Sequence, residues 1–339
     1  MASKRKILGN MRLIYDNGFE EKNIIGHHDK QIKQIILNQL KDNDSFLDST
    51  WISLTDQKFR VFVDKCKKES RRIICYSGPD WDNSCEPTYQ PPHFSQEWEL
   101  LNQCDVLQIG NTLGKHYFSF WVDFVYNNLN SYQTFDPYDL QTPLKHYMCL
   151  NRKPHRPRVE LYYKLKRLGL LPYGHTSLGE RAQLPTDIIN EEGDAAVSGN
   201  VGITNDISSL GHENNWNSHY LNVVTETTVY TDVFITEKTL KPIIGKRPFV
   251  ILGDHNIYKL LKDWGFDTFD DLFGTGYNLP NYADRLNWIA DVIENLVVLD
   301  QNQLSENLIR LKPRLEHNYN TFLKIAKENK ENLYHLLDK

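Results

Sequence analysis

Thr236, Glu237 and Lys238 set a hydroxyl, a carboxylate and an ammonium in a row, directly ahead of the apolar positions Leu240, Ile243 and Ile244. Thr236 reads as an N-cap, so the row opens a short helix that Gly245 closes as a C′ residue. Pro242 removes one interior hydrogen bond and kinks that helix. A helix N-terminus presents unpaired N–H groups and a partial positive charge, which favours a phosphate, and Lys238 strengthens the preference. Glu237 would repel phosphate and reads better as an acceptor for the hydroxyls of a ribose or a sugar. A solvated helix start is the plainer alternative.

Two other clusters carry chemistry. Arg152, Lys153 and Arg156 lie in a loop that leads into a helix opened by Pro157. Arginine forks bind phosphate oxygens in pairs, so Arg152 and Arg156 are read as diphosphate ligands. Extended through Arg158, Lys164, Lys166 and Arg167, the same charges could instead form a nucleic-acid footprint. The loop Gly78-Pro79-Asp80-Trp81-Asp82-Asn83 holds two carboxylates. Asp80 or Asp82 could take a proton from a hydroxyl, the pair could hold a divalent cation, or the loop could be a solvated turn. His27, His28 and His116 are further base candidates, each also readable as structural.

The elements that must position these residues alternate between strand and helix. Asn222 to Thr225 is an apolar, β-branched run ending at Glu226, and Pro248 to Leu252 is another ending at Gly253. With the helix between them they form a βαβ unit, which gathers Glu226, Thr236, Glu237 and Lys238 at the carboxyl ends of its strands. Tyr147 to Leu150 reads as a strand before the basic loop. Leu161, Leu165 and Leu168 line one face of the following helix, which Gly169 ends. Earlier, strands are expected at Asn23 to Ile25, Arg72 to Tyr76 and Asp105 to Ile109. Helices are expected from Lys30, over Thr55–Glu69, around Ser95–Gln103 and over Phe118–Asn128. The first 140 or so residues thus predict a doubly wound parallel sheet with its own crevice. Residues 180–219 are polar and Gly-rich, an excursion carrying a short helix at most. Further helices are expected from Asp254 to Trp264, over Tyr282–Leu299 and Leu304–Leu311, and, after Pro313, over Glu316–Leu337.

The segment from Glu226 to Gly253 resembles the donor-binding part of α-1,3-fucosyltransferases. The likeness runs through Glu226, Tyr230, Ile235-Thr236-Glu237-Lys238 and the strand Phe249 to Gly253. The family's Leu-Trp or similar pair after the lysine is Thr239-Leu240 here. The resemblance implies the GT-B architecture, an α/β fold of two Rossmann-like doubly wound domains facing across a cleft. Residues 1–143 would form an acceptor-side domain, 144–312 a nucleotide-sugar-binding domain, and 313–339 a helix returning to the first. It implies a glycosyltransferase, hexosyl- or fucosyltransferase-like, that moves a sugar from a nucleoside-diphosphate donor to an acceptor hydroxyl. Arg152, Arg156, Glu226, Tyr230, Thr236, Glu237 and Lys238 would bind the donor, with Asp80 or Asp82 as base. Inversion, no catalytic metal and no cofactor besides the donor substrate are expected. Asp-x-Asp is the metal signature of the other glycosyltransferase architecture, which keeps the cation reading of Asp80 and Asp82 open. The alternatives are transfer to modified bases in DNA and a non-catalytic nucleotide- or nucleic-acid-binding protein of the same fold.

The composition agrees with such a protein. The chain has 339 residues, 40% of them hydrophobic, with a net charge of −5. This allows two ordinary domains and weighs against a surface given over to nucleic acid. No run of apolar residues is long enough to span a membrane and the start lacks a signal peptide's apolar stretch, so a cytoplasmic protein is expected. The five cysteines, at 66, 75, 85, 104 and 149, form no Cys-x-x-Cys pair and read as reduced thiols.

Overall fold

The structure is a computed structural model that describes residues 13–15, 30–48, 57–77, 104–110, 119–132, 138, 144–151, 154–178, 207, 209–211, 213–227, 229, 233 and 235–338. The chain divides into two compact units, Met1–Phe124 with Lys327–Lys339, and Val125–Ala326.

In the first unit, β1 (Leu13–Tyr15), α1 (Lys30–Gln39), β2 (Asp44–Asp48), α2 (Gln57–Lys68), β3 (Arg72–Ser77), β4 (Val106–Gly110) and the start of α3 (Phe120–Asn127) follow one another. The four strands are parallel in the order β1-β2-β3-β4. That order contains no reversal, so among the described residues this sheet lacks the switch point of the expected doubly wound form. Ile36, Phe46, Val63, Cys66, Ile73 and Ile74 are buried in its core. Strand β2 escapes a sequence reading because Asp44 and Asp48 bracket its apolar residues. Asp44 is tolerated at 3% exposure because Arg72, its register partner, meets it with two bonds of 2.9 and 2.8 Å.

The second unit carries α4 (Leu129–Tyr132), β5 (Lys145–Leu150), α5 (Arg156–Arg167), β6 (Gly174–Ser177), α6 (Glu213–Asn217), β7 (His219–Thr225), α7 (Glu237–Ile244), β8 (Phe249–Leu252), α8 (Ile257–Asp263), α9 (Asp270–Phe273), α10 (Tyr282–Leu296) and α11 (Gln301–Asp338), whose last residues belong to the first unit. Its sheet is parallel in the order β6-β5-β7-β8. Every residue of β7 and β8 is buried, as expected of strands covered on both faces. The chain leaves β5 for one side and returns to β7 on the other, which makes the β5/β7 boundary a switch point. In open α/β sheets the ligand crevice opens there, beyond the carboxyl ends of the strands.

Three local expectations change. Gly245 is not left-handed, its φ being −80°, and the positive φ of 52° falls on Lys246. Glycine is needed at 245 because a Cβ would lie 2.1 Å from the Trp216 ring. Pro313 does not divide the last helix, which runs unbroken through it. The carbonyl it frees belongs to Ile309, which is 59% exposed and so borders water, while Leu308, Leu311 and Leu315 bury the opposite side. Strand β6 is missed because Gly-His-Thr-Ser has no apolar run; Gly174 belongs there because a Cβ would lie 2.3 Å from the Tyr147 ring.

Candidate functional site

The switch point is lined by polar residues at the ends of β5, β6 and β7. Thr225 donates its hydroxyl to the Asn151 side chain, and the Asn151 N–H meets the Ser177 hydroxyl at 3.0 Å. Arg158, in the first turn of α5, is only 3% exposed and donates to the Thr225 carbonyl at 3.3 Å. The starts of α5 and α7 therefore converge on the end of β7. This corner also acts on Cys149: burial pushes its thiol up to about 12, although Asn151 and Arg158 pull the other way.

Glu226 follows β7 and is fully buried. One of its oxygens accepts from the Thr236 N–H at 3.0 Å and the Thr239 hydroxyl at 2.6 Å; the other accepts from the Thr236 hydroxyl at 2.7 Å. Its own N–H is tied to Leu252 at the end of β8. Thr236 caps α7 as expected, accepting from the Lys238 N–H at 3.2 Å. The Thr236 and Lys238 N–H groups are thus engaged by the protein itself, and the Lys238 ammonium adds positive charge at this helix end. That ammonium lies 3.2 Å from the Thr236 hydroxyl and 3.0 Å from the Glu237 carboxylate, and its side chain is 20% exposed.

Glu237 is 1% exposed, and its Oε2 is buried with no hydrogen-bond partner. Burial works to raise its pKa, but Lys238 and Lys241 beside it hold the carboxyl below its ordinary value, so it is ionised near neutrality. A buried, ionised oxygen without a donor is costly, and a ligand hydroxyl would relieve that cost. A half-open recess of about 390 Å³, counting its solvent-filled part, is lined by Met148, Trp216, Asn222, Thr225, Lys238 and Lys241 among others.

Glu226, Thr236, Glu237 and Lys238 are brought together at one helix end. Arg156 is more open, with 46% of its side chain exposed; it pairs with Glu160 at 2.7 Å, and Glu160 accepts from the Tyr282 hydroxyl at 2.5 Å. Arg158 lies inside the fold, which removes it from any surface footprint with Lys166 and Arg167. Asp80, Asp82, Arg152, Tyr230, His27, His28 and His116 lie outside the described residues. Sequence reasoning missed Thr239, Lys241, Asn151 and the buried role of Arg158. The three-residue step from Thr236 to Thr239 puts both hydroxyls on one helix face and was a legible signal. So was the two-residue step from Arg156 to Arg158, which on a helix turns the two guanidiniums apart.

Among the described residues no group of three or more His, Cys, Asp or Glu could hold a metal ion, and no helix is long and apolar enough to cross a membrane. Cys66, Cys104 and Cys149 are free thiols.

No protein-family model and no curated protein matches the chain. A solved structure of an α1,3-fucosyltransferase with GDP aligns over 93% of this chain and 94% of its own, at 12% identity and a TM-score of 0.42. That similarity is too low to carry the architecture, which rests on the strand orders given above.

Proposed function

We propose that the chain is a nucleotide-sugar-dependent glycosyltransferase that moves a sugar from a nucleoside-diphosphate donor to an acceptor hydroxyl. The observation that carries this reading is the ionised, partnerless Oε2 of Glu237 beside the Lys238 ammonium, at the switch point of a parallel sheet. An anion and a hydroxyl-bearing group held side by side describe a nucleoside diphosphate or its sugar ester. Lys238 takes the diphosphate, Glu237 accepts from ribose or sugar hydroxyls, and the recess at Lys238, which sets Met148, Leu150 and Trp216 beside the polar Asn222, Thr225 and Lys241, receives a ring. Arg156 adds charge from the start of α5, and Arg152 and Tyr230 join the set by their sequence positions.

In the reaction the acceptor oxygen attacks the anomeric carbon as the bond to the diphosphate breaks. The diphosphate leaves with the electron pair, its charge stabilised by Lys238 and the arginines. The acceptor proton passes to a carboxylate, Asp80 or Asp82, and attack opposite the leaving group inverts the anomeric centre. Positive side chains take the part that a metal ion plays elsewhere.

The test is release of nucleoside diphosphate from a panel of nucleotide sugars in EDTA. Lys238→Ala removes charge-assisted bonds worth about 1.5–3 kcal/mol, so kcat/KM should fall roughly 10- to 150-fold. Glu237→Gln should weaken donor binding with the fold intact. Breakdown no faster than in buffer for every donor would refute the reading.

A further inference from the structure

We infer that Glu226 is a positioning residue that fixes the Lys238 ammonium through the Thr236 hydroxyl. A hydroxyl has one proton and two lone pairs. Here the proton goes to Glu226 at 2.7 Å, and both lone pairs face Lys238, accepting from its N–H and its Nζ at 3.2 Å each. Only an acceptor at the Glu226 position holds the hydroxyl that way round. Glu226 cannot swing aside, because its backbone N–H is bonded to Leu252 and its carboxylate to Thr236 and Thr239. The Thr239 hydroxyl adds a donor to the carboxylate. Among the described residues the Lys238 ammonium has no other neutral partner; Glu237 draws it by charge while Thr236 sets its place.

The inference uses the reading of Lys238 as the diphosphate-binding cation, and its test separates the two. Full-length wild type and Glu226→Gln are trace-labelled with acetic anhydride, and acylation of Lys238 is measured by peptide mass spectrometry relative to the exposed Lys259. In Glu226→Gln the amide presents a donor where an acceptor stood, so the Thr236 hydroxyl turns and Lys238 is released. Its relative labelling should rise about fivefold or more. Pyrophosphate binding should weaken about tenfold, with no further loss when Glu226→Gln is added to Lys238→Ala, because coupled residues are not additive. Should Glu226→Gln not fold, Thr239→Val removes one bond to the carboxylate and should raise Lys238 labelling by a smaller amount. Unchanged Lys238 labelling in a folded variant overturns the positioning role even if wild type binds pyrophosphate through Lys238. Raised labelling in a protein that binds neither pyrophosphate nor any nucleoside diphosphate keeps that role and removes the donor reading.

Discussion

Gly245→Ala puts a methyl group into the wall behind the site. The added Cβ would lie 2.1, 2.2 and 2.3 Å from Cζ2, Cε2 and Nε1 of Trp216. Comfortable carbon contacts are about 3.5–4.0 Å, so the ring or helix α7 must move by more than about 1 Å. Neither is free to do so: Trp216 is 1% exposed, its indole N–H donates to the Gly245 carbonyl at 2.9 Å, and its own carbonyl is held by Arg247 at 3.0 Å. Overpacking of this kind costs about 1–3 kcal/mol. Displacing the indole leaves a buried donor unpaired for about 1–3 kcal/mol more. A loss of about 2–6 kcal/mol is therefore expected, read as a lower urea midpoint with an unchanged slope. Trp216→Phe, which takes away much of the clashing ring edge, should recover part of the loss when combined with Gly245→Ala. A loss below about 1 kcal/mol, or strict additivity of the two substitutions, would refute this packing argument.

Acid should weaken the second unit through Arg314, which bonds Asp267 at 2.5 and 2.8 Å and Asp271 at 2.7 and 2.9 Å. Burial works to raise Asp267, yet its bonds to Arg314 leave it below the ordinary value; Asp271 is lowered chiefly by the same guanidinium. Depressed carboxylates stabilise the fold fully above their unfolded pKa of about 3.9 and lose that contribution as the pH falls through the folded values, so Arg314→Ala should flatten the loss of stability below about pH 4, followed by urea melts. Cys149, buried and with its thiol pushed up to about 12, should react with a disulfide reagent at pH 8 only as fast as the protein opens, and its rate should rise with urea; rapid reaction in the native protein would contradict its placement.

The parts legible in the sequence were those where local pattern and tertiary environment agree. The β7-α7-β8 unit stood out because its strands are buried on both faces and so read as continuous apolar runs, and because Thr236 caps through its own side chain. Glu226 drew notice as an acidic strand end, but its partners could not be read: Thr236 and Thr239 return to it only once the helix has folded back. The function of Gly245 was hidden for the same reason, since the residue that excludes a side chain there is Trp216, which lies far from it in the sequence. Strands β2 and β6 were illegible because their polar residues are satisfied by neighbours, Arg72 for Asp44 and β5 for the edge strand. Among the described residues the strand order of the first sheet has no reversal, and pairing order is something no local pattern encodes.

The most direct test of a nucleotide-sugar site is a thermal-shift measurement of the full chain against nucleotide sugars and their nucleoside diphosphates, in EDTA and with magnesium or manganese. A ligand at a hundred times its Kd stabilises by about 2.7 kcal/mol. For a unit of this size that corresponds to a rise of about 5–10 °C. One nucleotide family should give such a shift in EDTA, and Lys238→Ala should abolish it. No shift with any nucleotide, or a shift that requires the metal, would contradict a site built on Lys238 and Glu237.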